Sequence, residues 1–270
     1  MRFASWNLRY CGVEGARRRV DYLRSIDWDV LALQEVSRRA GEVIKESGIA
    51  ESEAYALDLF ETIPVGTRHH GAALLTCNGF KLSAPKLILG LPKAERVLVA
   101  KTTLGDTHTT IASWHAPNAA SEGVVTKMQG YQGIVDWLGG SSGPIVLGFD
   151  GNHWNRTLDL ELKHVPDSAD PWLLENRFFA ANSLHRMRDA VLDHLSAHPQ
   201  EYEQIKELRP QGPLAVSYIR GSKKYPVEDR FDYVFVSGEM EVRSCSYDYK
   251  GATAAGSDHA LVTADLHLRQ

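Results

Sequence analysis

Val97-Leu98-Val99-Ala100-Lys101-Thr102-Thr103, the turn Leu104-Gly105-Asp106, and then Thr109-Thr110-Ile111-Ala112-Ser113-Trp114 decide between the two architectures open to this chain. Both flanking runs are rich in β-branched residues and read as strands. The turn between them is too short for a crossover helix, so the two strands pair antiparallel. Further strand-like runs lie at Phe3–Leu8, Val30–Gln34, Gly71–Thr76, Ile145–Phe149, Leu214–Ile219, Phe231–Val236 and His259–Leu268. Helical spacing marks Ala16–Ile26, Val124–Leu138 and Asn182–Leu195. Strands and helices interleave, as in a doubly wound parallel sheet. The short strand-to-strand turns instead favour an α/β fold of two mixed, mostly antiparallel sheets packed face to face with helices outside. From Asn155 to Gln211 the strand pattern fades and Pro166, Pro171, Pro199 and Pro210 intervene. That stretch reads as a helical insertion around 155–211 within one domain spanning 1–270.

Composition narrows the function classes. With 270 residues, 43% of them apolar, the chain can bury one large core. A net charge of -4 excludes a generally basic nucleic-acid coat but permits a locally basic cleft. Cys11, Cys77 and Cys245 lack metal-type spacing, and their odd number argues against a disulfide framework. No charged-then-apolar leader follows Met1, and no run of about 18 apolar residues occurs. The expectation is a soluble, cytoplasmic protein with no membrane partner.

Five short polar motifs ride on these strand-like runs: Ser5-Trp6-Asn7-Leu8-Arg9, Leu33-Gln34-Glu35-Val36, Phe149-Asp150-Gly151-Asn152-His153, Arg230-Phe231-Asp232-Tyr233-Val234 and Ser257-Asp258-His259. Glu35 ends a continuous apolar run, where a carboxylate is costly unless paired or bound to a cation. A hard cation such as Mg²⁺ asks for few carboxylates plus water and substrate oxygens. Asp150 and Asn152 are two apart at a strand end and aim to one side. A carboxylate beside an amide suits activating a water while holding a phosphate. Asp232 interrupts an apolar strand, which places it at a cleft or pairs it in the core. His259 beside one carboxylate and facing another can be held charged toward a phosphate oxygen. His115, in Trp114-His115-Ala116-Pro117-Asn118, can hydrogen-bond a phosphate or protonate a leaving group. Singly, each has an ordinary explanation: a paired surface Glu, a turn Asn at position 7, an Asp-Gly turn, a loop His. Arg68-His69-His70 can add charge to the same rim or form a solvated loop. Together the set supplies what metal-assisted phosphoester hydrolysis needs. No Walker loop, His-Glu-x-x-His or nucleophile elbow competes with it.

In order, spacing and strand-end placement the motifs resemble the endonuclease/exonuclease/phosphatase superfamily, also called DNase I-like, over nearly the whole chain. The resemblance implies a four-layer α/β sandwich with the site where strand ends converge. It implies Mg²⁺ or Mn²⁺ at Glu35, with Asn7 beside it and Asp258 as a further ligand. Asp150 would activate the water, Asn152 would hold the phosphate, and His259, supported by Asp232, would stabilise developing charge. His115 matches a second His of the nuclease branch, with Glu61 as its carboxylate partner, and Arg9 matches an Arg of the DNase branch. Two positions depart from the family pattern: Phe149 stands where the motif has Gly, and Ser37 stands where some nucleases carry a basic residue. Arg9, Arg68, Arg220, Lys223 and Lys224 are candidates to follow a phosphate backbone, with Asn118 at the rim and Tyr218 and Tyr225 as stacking platforms; the alternative for Arg220–Lys224 is a solvated hairpin tip. The reading is a metal-dependent phosphodiester hydrolase, a nuclease with DNA or RNA as partner. The alternatives are a phosphatase or phosphodiesterase on a small or lipid-headgroup phosphoester, and a non-catalytic binding module of the same fold.

Overall fold

Alternation along the first strand sets the layers. In β1 (Arg2–Asn7), Phe3 enters one apolar cluster while Ala4 and Trp6 enter another, and Phe3 through Asn7 are all buried. A strand buried on both faces needs a layer on each side. The computed structural model, which describes residues 1–60, 69–153, 173–179, 183–222 and 224–269, supplies both.

One six-stranded sheet runs β13 (Met240–Asp248), β14 (Leu261–Leu268), β1, β2 (Val30–Ser37), β4 (His70–Thr76), β3 (Ser52–Tyr55). The second runs β5 (Ser83–Lys86), β6 (Val97–Leu104), β7 (Thr107–His115), β8 (Ile145–Asp150), β12 (Asp232–Val236), β9 (Arg188–Asp189). Only β1–β2 and β7–β8 pair parallel among the described ladders. Phe3, Val30, Leu74, Leu98, Ile111, Val146, Val234 and Val262 fill the space between the sheets. On the outer face of the first sheet, Trp6, Leu31 and Leu33 meet α1 (Val13–Arg24), α2 (Arg38–Ser47) and α8 (Tyr249–Ala254). On the outer face of the second, Trp114, Leu147, Phe149 and Tyr233 meet α4 (Val124–Gly139) and α5 (Leu173–Phe179). The result is the expected four-layer sandwich. Gly148 lets the sheets approach: a Cβ there would lie 2.8 Å from Phe3 and Ser5.

The deciding stretch folds as its sequence indicates. Leu104 pairs with Thr107, and Gly105 (φ 59°) occupies the first position of the two-residue turn, where glycine is suited. Elsewhere the boundaries move. The run from Leu214 becomes a strand only at β10 (Tyr218–Ser222), which pairs with β11 (Tyr225–Asp229), while Leu214 and Ala215 are buried outside any strand. The helix expected over Asn182–Leu195 is α6 (Ala190–Ala197), started by the Asp189 side chain accepting from the Val191 amide; Asn182 lies outside the described residues. Of the insertion around 155–211, residues 155–172 and 180–182 also lie outside them. The described remainder holds α5, β9, α6 and α7 (Pro199–Leu208), with Val191 and Leu195 joining the inter-sheet core. Several elements have no counterpart in the sequence reading, among them α2, β3, β5, β13 and α8. Among the described residues no helix is long and apolar enough to cross a membrane.

Candidate active site

The inward-facing rows of both sheets turn polar at one end. The parallel register of β7 and β8 sets His115 beside Asp150, and the antiparallel register of β8 and β12 sets Asp232 on its other side. In the first sheet, Asn7 ends β1 opposite Gln34. A register shift between Leu33 and Val36, with Glu35 at φ 57°, re-aims the Glu35 carboxylate toward the same end. The period-2 pattern that builds the core therefore delivers the polar groups as its last members.

Asn7 joins the sheets. Its Nδ2 donates to Asp150 Oδ2 at 2.8 Å and reaches Glu35 Oε1 at 3.4 Å, while its Oδ1 accepts from the Arg9 amide at 2.7 Å. Glu35 Oε2 accepts from the Tyr10 amide at 2.7 Å. Asp150 Oδ1 accepts from the Asn152 amide at 2.8 Å. Asn152 Nδ2 donates to the Ala116 carbonyl at 2.8 Å and lies 3.1 Å from His115 Nε2, and its Oδ1 accepts from Asn118 Nδ2 at 3.1 Å. His259 is held by Asp232, with Nδ1 2.8 Å from Oδ2, and its Nε2 lies 3.9 Å from Asp150 Oδ2. Trp6 Nε1 donates to the His259 carbonyl at 3.2 Å, and Ser257 Oγ donates to the Asn7 carbonyl at 2.7 Å. Arg9, Glu35 and Asn152 all have φ near 50°, so the chain curls back at these strand ends; Asn tolerates this region, while at Arg9 and Glu35 it costs about 1–3 kcal/mol each.

The electrostatics follow from burial. Desolvation pushes the Asp150 carboxyl up to about 7, against the pull of His259 and of its hydrogen bonds. Burial opposes a charge on His259, but Asp232 and Asp150 outweigh it and hold the imidazolium to about 10. Burial, reinforced by Arg96 and His70, drives His115 well below its ordinary value and leaves it neutral. Burial likewise lowers His70 to about 4.

The sequence-derived candidates thus divide. Asn7, Glu35, His115, Asp150, Asn152, Asp232 and His259 come together. Asp258 sits at the edge, 3.4 Å from Arg9 and 3.9 Å from His259 Nε2, and belongs to neither group of closely spaced ligand atoms among the described residues. Tyr218 stacks on Phe231 and lies 4.9 Å from the His259 ring. Asn118 caps α3 (Ala119–Glu122) as well as touching Asn152. Arg220 pairs with Asp229 at 2.6 Å. Arg68, Glu61 and Lys223 lie outside the described residues. His70 opens β4, half-buried against His115, rather than sitting in a solvated loop.

A supporting layer escaped the sequence reading. Lys127 Nζ donates to the Asn152 carbonyl at 2.8 Å and to Glu175 Oε1 at 2.5 Å, His153 Nδ1 lies 2.7 Å from the same oxygen, and Tyr131 donates to the Gly151 carbonyl at 2.6 Å. Burial works against the Glu175 charge, but His153 and Lys127 keep its carboxyl below the ordinary range. The signal was present: Lys127 stands in the buried stripe with Tyr131, Ile134 and Leu138. Ser217 Oγ accepts from the Phe231 and Asp232 amides and fixes the start of β12.

For a hard divalent cation the donor set fits. Glu35 Oε1 meets Asn7 Nδ2 and His115 Nε2 only at 3.4 and 3.7 Å, so it can turn to an ion, and Asn7 would add an oxygen by turning its amide to present Oδ1, which here accepts from the Arg9 amide.

The endonuclease/exonuclease/phosphatase family model matches residues 4–259. No curated protein matches the sequence significantly. Among solved structures, TDP2 of D. rerio complexed with single strand DNA product superposes with a TM-score of 0.67 at 12% identity, covering 99% of this chain and 98% of that one. The APE2 catalytic domain of Xenopus laevis gives 0.66 at 16%, covering 98% and 91%. An endonuclease/exonuclease/phosphatase from Bacteroides vulgatus gives 0.62 at 17%, covering 99% and 98%. At these identities the structures establish the shared fold, and the family model establishes membership: this chain belongs to the endonuclease/exonuclease/phosphatase family.

Proposed function

We propose that this protein is a Mg²⁺- or Mn²⁺-dependent phosphodiesterase that cleaves nucleic acid by in-line attack of an activated water. The observation that carries the proposal is the placement of a buried carboxylate, Asp150, between two amides and a charged imidazole at the sandwich end. Asp150, raised to about 7, is basic enough to take a proton from water near neutral pH. Asn7 and Asn152 fix its two oxygens. His259, held charged by Asp232, donates from Nε2 to an oxygen that gains charge in the transition state. His115, neutral and 3.6 Å from Asp150, contributes a hydrogen bond rather than a charge. A cation bound by Glu35, with Asn7 and Asp258 beside it, would neutralise phosphoryl charge. Tyr218 offers a ring at the mouth for base stacking, and Arg9 a cation for backbone phosphate. The D. rerio structure with a DNA product favours nucleic acid over a small phosphoester.

Labelled single- and double-stranded DNA and RNA, incubated with Mg²⁺ or Mn²⁺, test this directly. Cleavage should vanish with EDTA and fall about 10²–10⁴-fold in Asp150→Asn. Folded protein that cleaves none of these polymers refutes the nuclease assignment; turnover of a small phosphodiester would then redirect the substrate class.

A further inference from the structure

We propose that Glu35, His70 and His115 form a second cation site, suited to a borderline transition ion such as Zn²⁺ rather than to Mg²⁺. It rests on the proposed function only in sharing Glu35.

His70 and His115 approach from opposite sheets. His70 pairs with Ser37 across the strand that carries Glu35, and His115 ends β7. One ligand atom from each of the three residues lies within 4.8 Å of the others. His115 Nε2 is 3.7 Å from Glu35 Oε1, and the two imidazole centroids are 5.5 Å apart at 36°. Both ring nitrogens of His70, and Nδ1 of His115, are buried with no hydrogen-bond partner among the described residues. A buried polar atom left so is costly, and here the cost falls on two adjacent rings beside one carboxylate. The packing around them offers no relief: the Tyr10 ring covers His70 from 6.3 Å, edge-on.

An ion would supply the missing partners. Two imidazoles and a carboxylate make a three-ligand set with an open position, a zinc-type arrangement, whereas Mg²⁺ prefers oxygen and its own waters. Zn²⁺ about 2.1 Å from each donor needs those donors about 3.4 Å apart, so the side chains close by about an ångström. Ligation through His115 Nε2 would replace its 3.1 Å contact with Asn152 Nδ2. The other close cluster, Asp150, Asp232 and His259, belongs to the centre already described.

Titration of the metal-free protein with Co²⁺ in excess Mg²⁺, read by visible d–d absorption, tests the site. The expected result is one tight equivalent that Zn²⁺ displaces and Mg²⁺ does not. His70→Ala and His70→Gln should weaken it by about tenfold or more, while Mg²⁺-supported hydrolysis changes by less than about twofold. Unchanged Co²⁺ affinity in a folded His70 variant overturns the proposal, as does a wild-type protein that takes up no Co²⁺. In the wild-type protein, Zn²⁺ should also shift the ring-nitrogen NMR signals of two histidines besides any change at His259; unmoved rings overturn it without reliance on a variant. Loss of all hydrolysis with Mg²⁺ would count against the proposed function and leave the Co²⁺ result to decide the second site.

Discussion

Replacing Asp232 with Asn removes the charge that keeps His259 protonated while nearly preserving volume. Asp232 is fully buried, with its Oδ2 2.8 Å from Nδ1. Holding His259 at about 10 instead of 6.5 corresponds to about 5 kcal/mol in favour of the imidazolium. A unit charge about 4 Å away supplies about 4 kcal/mol of this at an effective dielectric near 20, or about three pH units. Asp150 and Asp258, both 3.9 Å from Nε2, remain. In Asp232→Asn the ring should therefore titrate at about pH 7. At about pH 8.5 its charged fraction drops from nearly all to a few per cent, so the rate there should fall about thirtyfold more than at about pH 6. The raised value also bears on stability. The imidazolium's contribution is complete below 6.5 and is lost as pH rises toward about 10, so the wild-type advantage over the variant should shrink across that window. Ring-proton NMR titrations of both proteins, with pH–rate profiles, measure this. A variant His259 that still titrates above about pH 9, or equal rate losses at both pH values, refutes the reasoning.

The remaining predictions concern packing and support. Lys127→Met removes one of the two partners that the buried Glu175 carboxylate has among the described residues and leaves it His153, so it should cost about 1–3 kcal/mol in urea unfolding, with part of that recovered in the double variant Lys127→Met/Glu175→Leu. The double variant should still show reduced kcat, because the Asn152 carbonyl loses its anchor. Gly148→Ala pushes a methyl against Phe3 and Ser5 and should destabilise by about 1–3 kcal/mol, read by thermal unfolding. Tyr218→Ala should raise KM for single-stranded substrates, by about 1–3 kcal/mol of lost stacking per base, with little change in kcat.

How far the sequence could be read depended on whether a residue's neighbours along the chain were also its neighbours in space. Asp150 and Asp232 interrupt apolar strands, and β registers then bring them side by side, so a strand pattern with a misplaced charge was enough to find them. Glu35 was found for the same reason, but its orientation was not: it depends on a bulge and a left-handed backbone that no periodicity announces. His70 was misread because its partners, Glu35 and His115, come from a strand in its own sheet and one in the other. The helix α2 went unseen although Ser37 caps it, with Oγ accepting from the Ala40 amide, and Gly48 closes it at φ 63°. The strand β13 alternates weakly because it is an edge strand with a bulge between Val242 and Ser244. Phe149, where the family motif has Gly, packs outward between Trp114 and Tyr233, and the close approach that needs glycine falls one residue earlier, at Gly148.

The placement of β14 has a consequence for biosynthesis. This late strand lies between β13 and β1, pairing Arg2 with Asp265 and Ser5 with Val262. A ribosome making the chain from its N-terminus therefore releases β1 with one hydrogen-bonding edge open until residues 261–268 have emerged. His259 arrives at the same moment, just ahead of the strand that seals the sheet. A nascent chain that has not yet released residues 259–268 holds neither a closed sheet nor the imidazole of His259, so the site cannot be assembled before this strand has emerged.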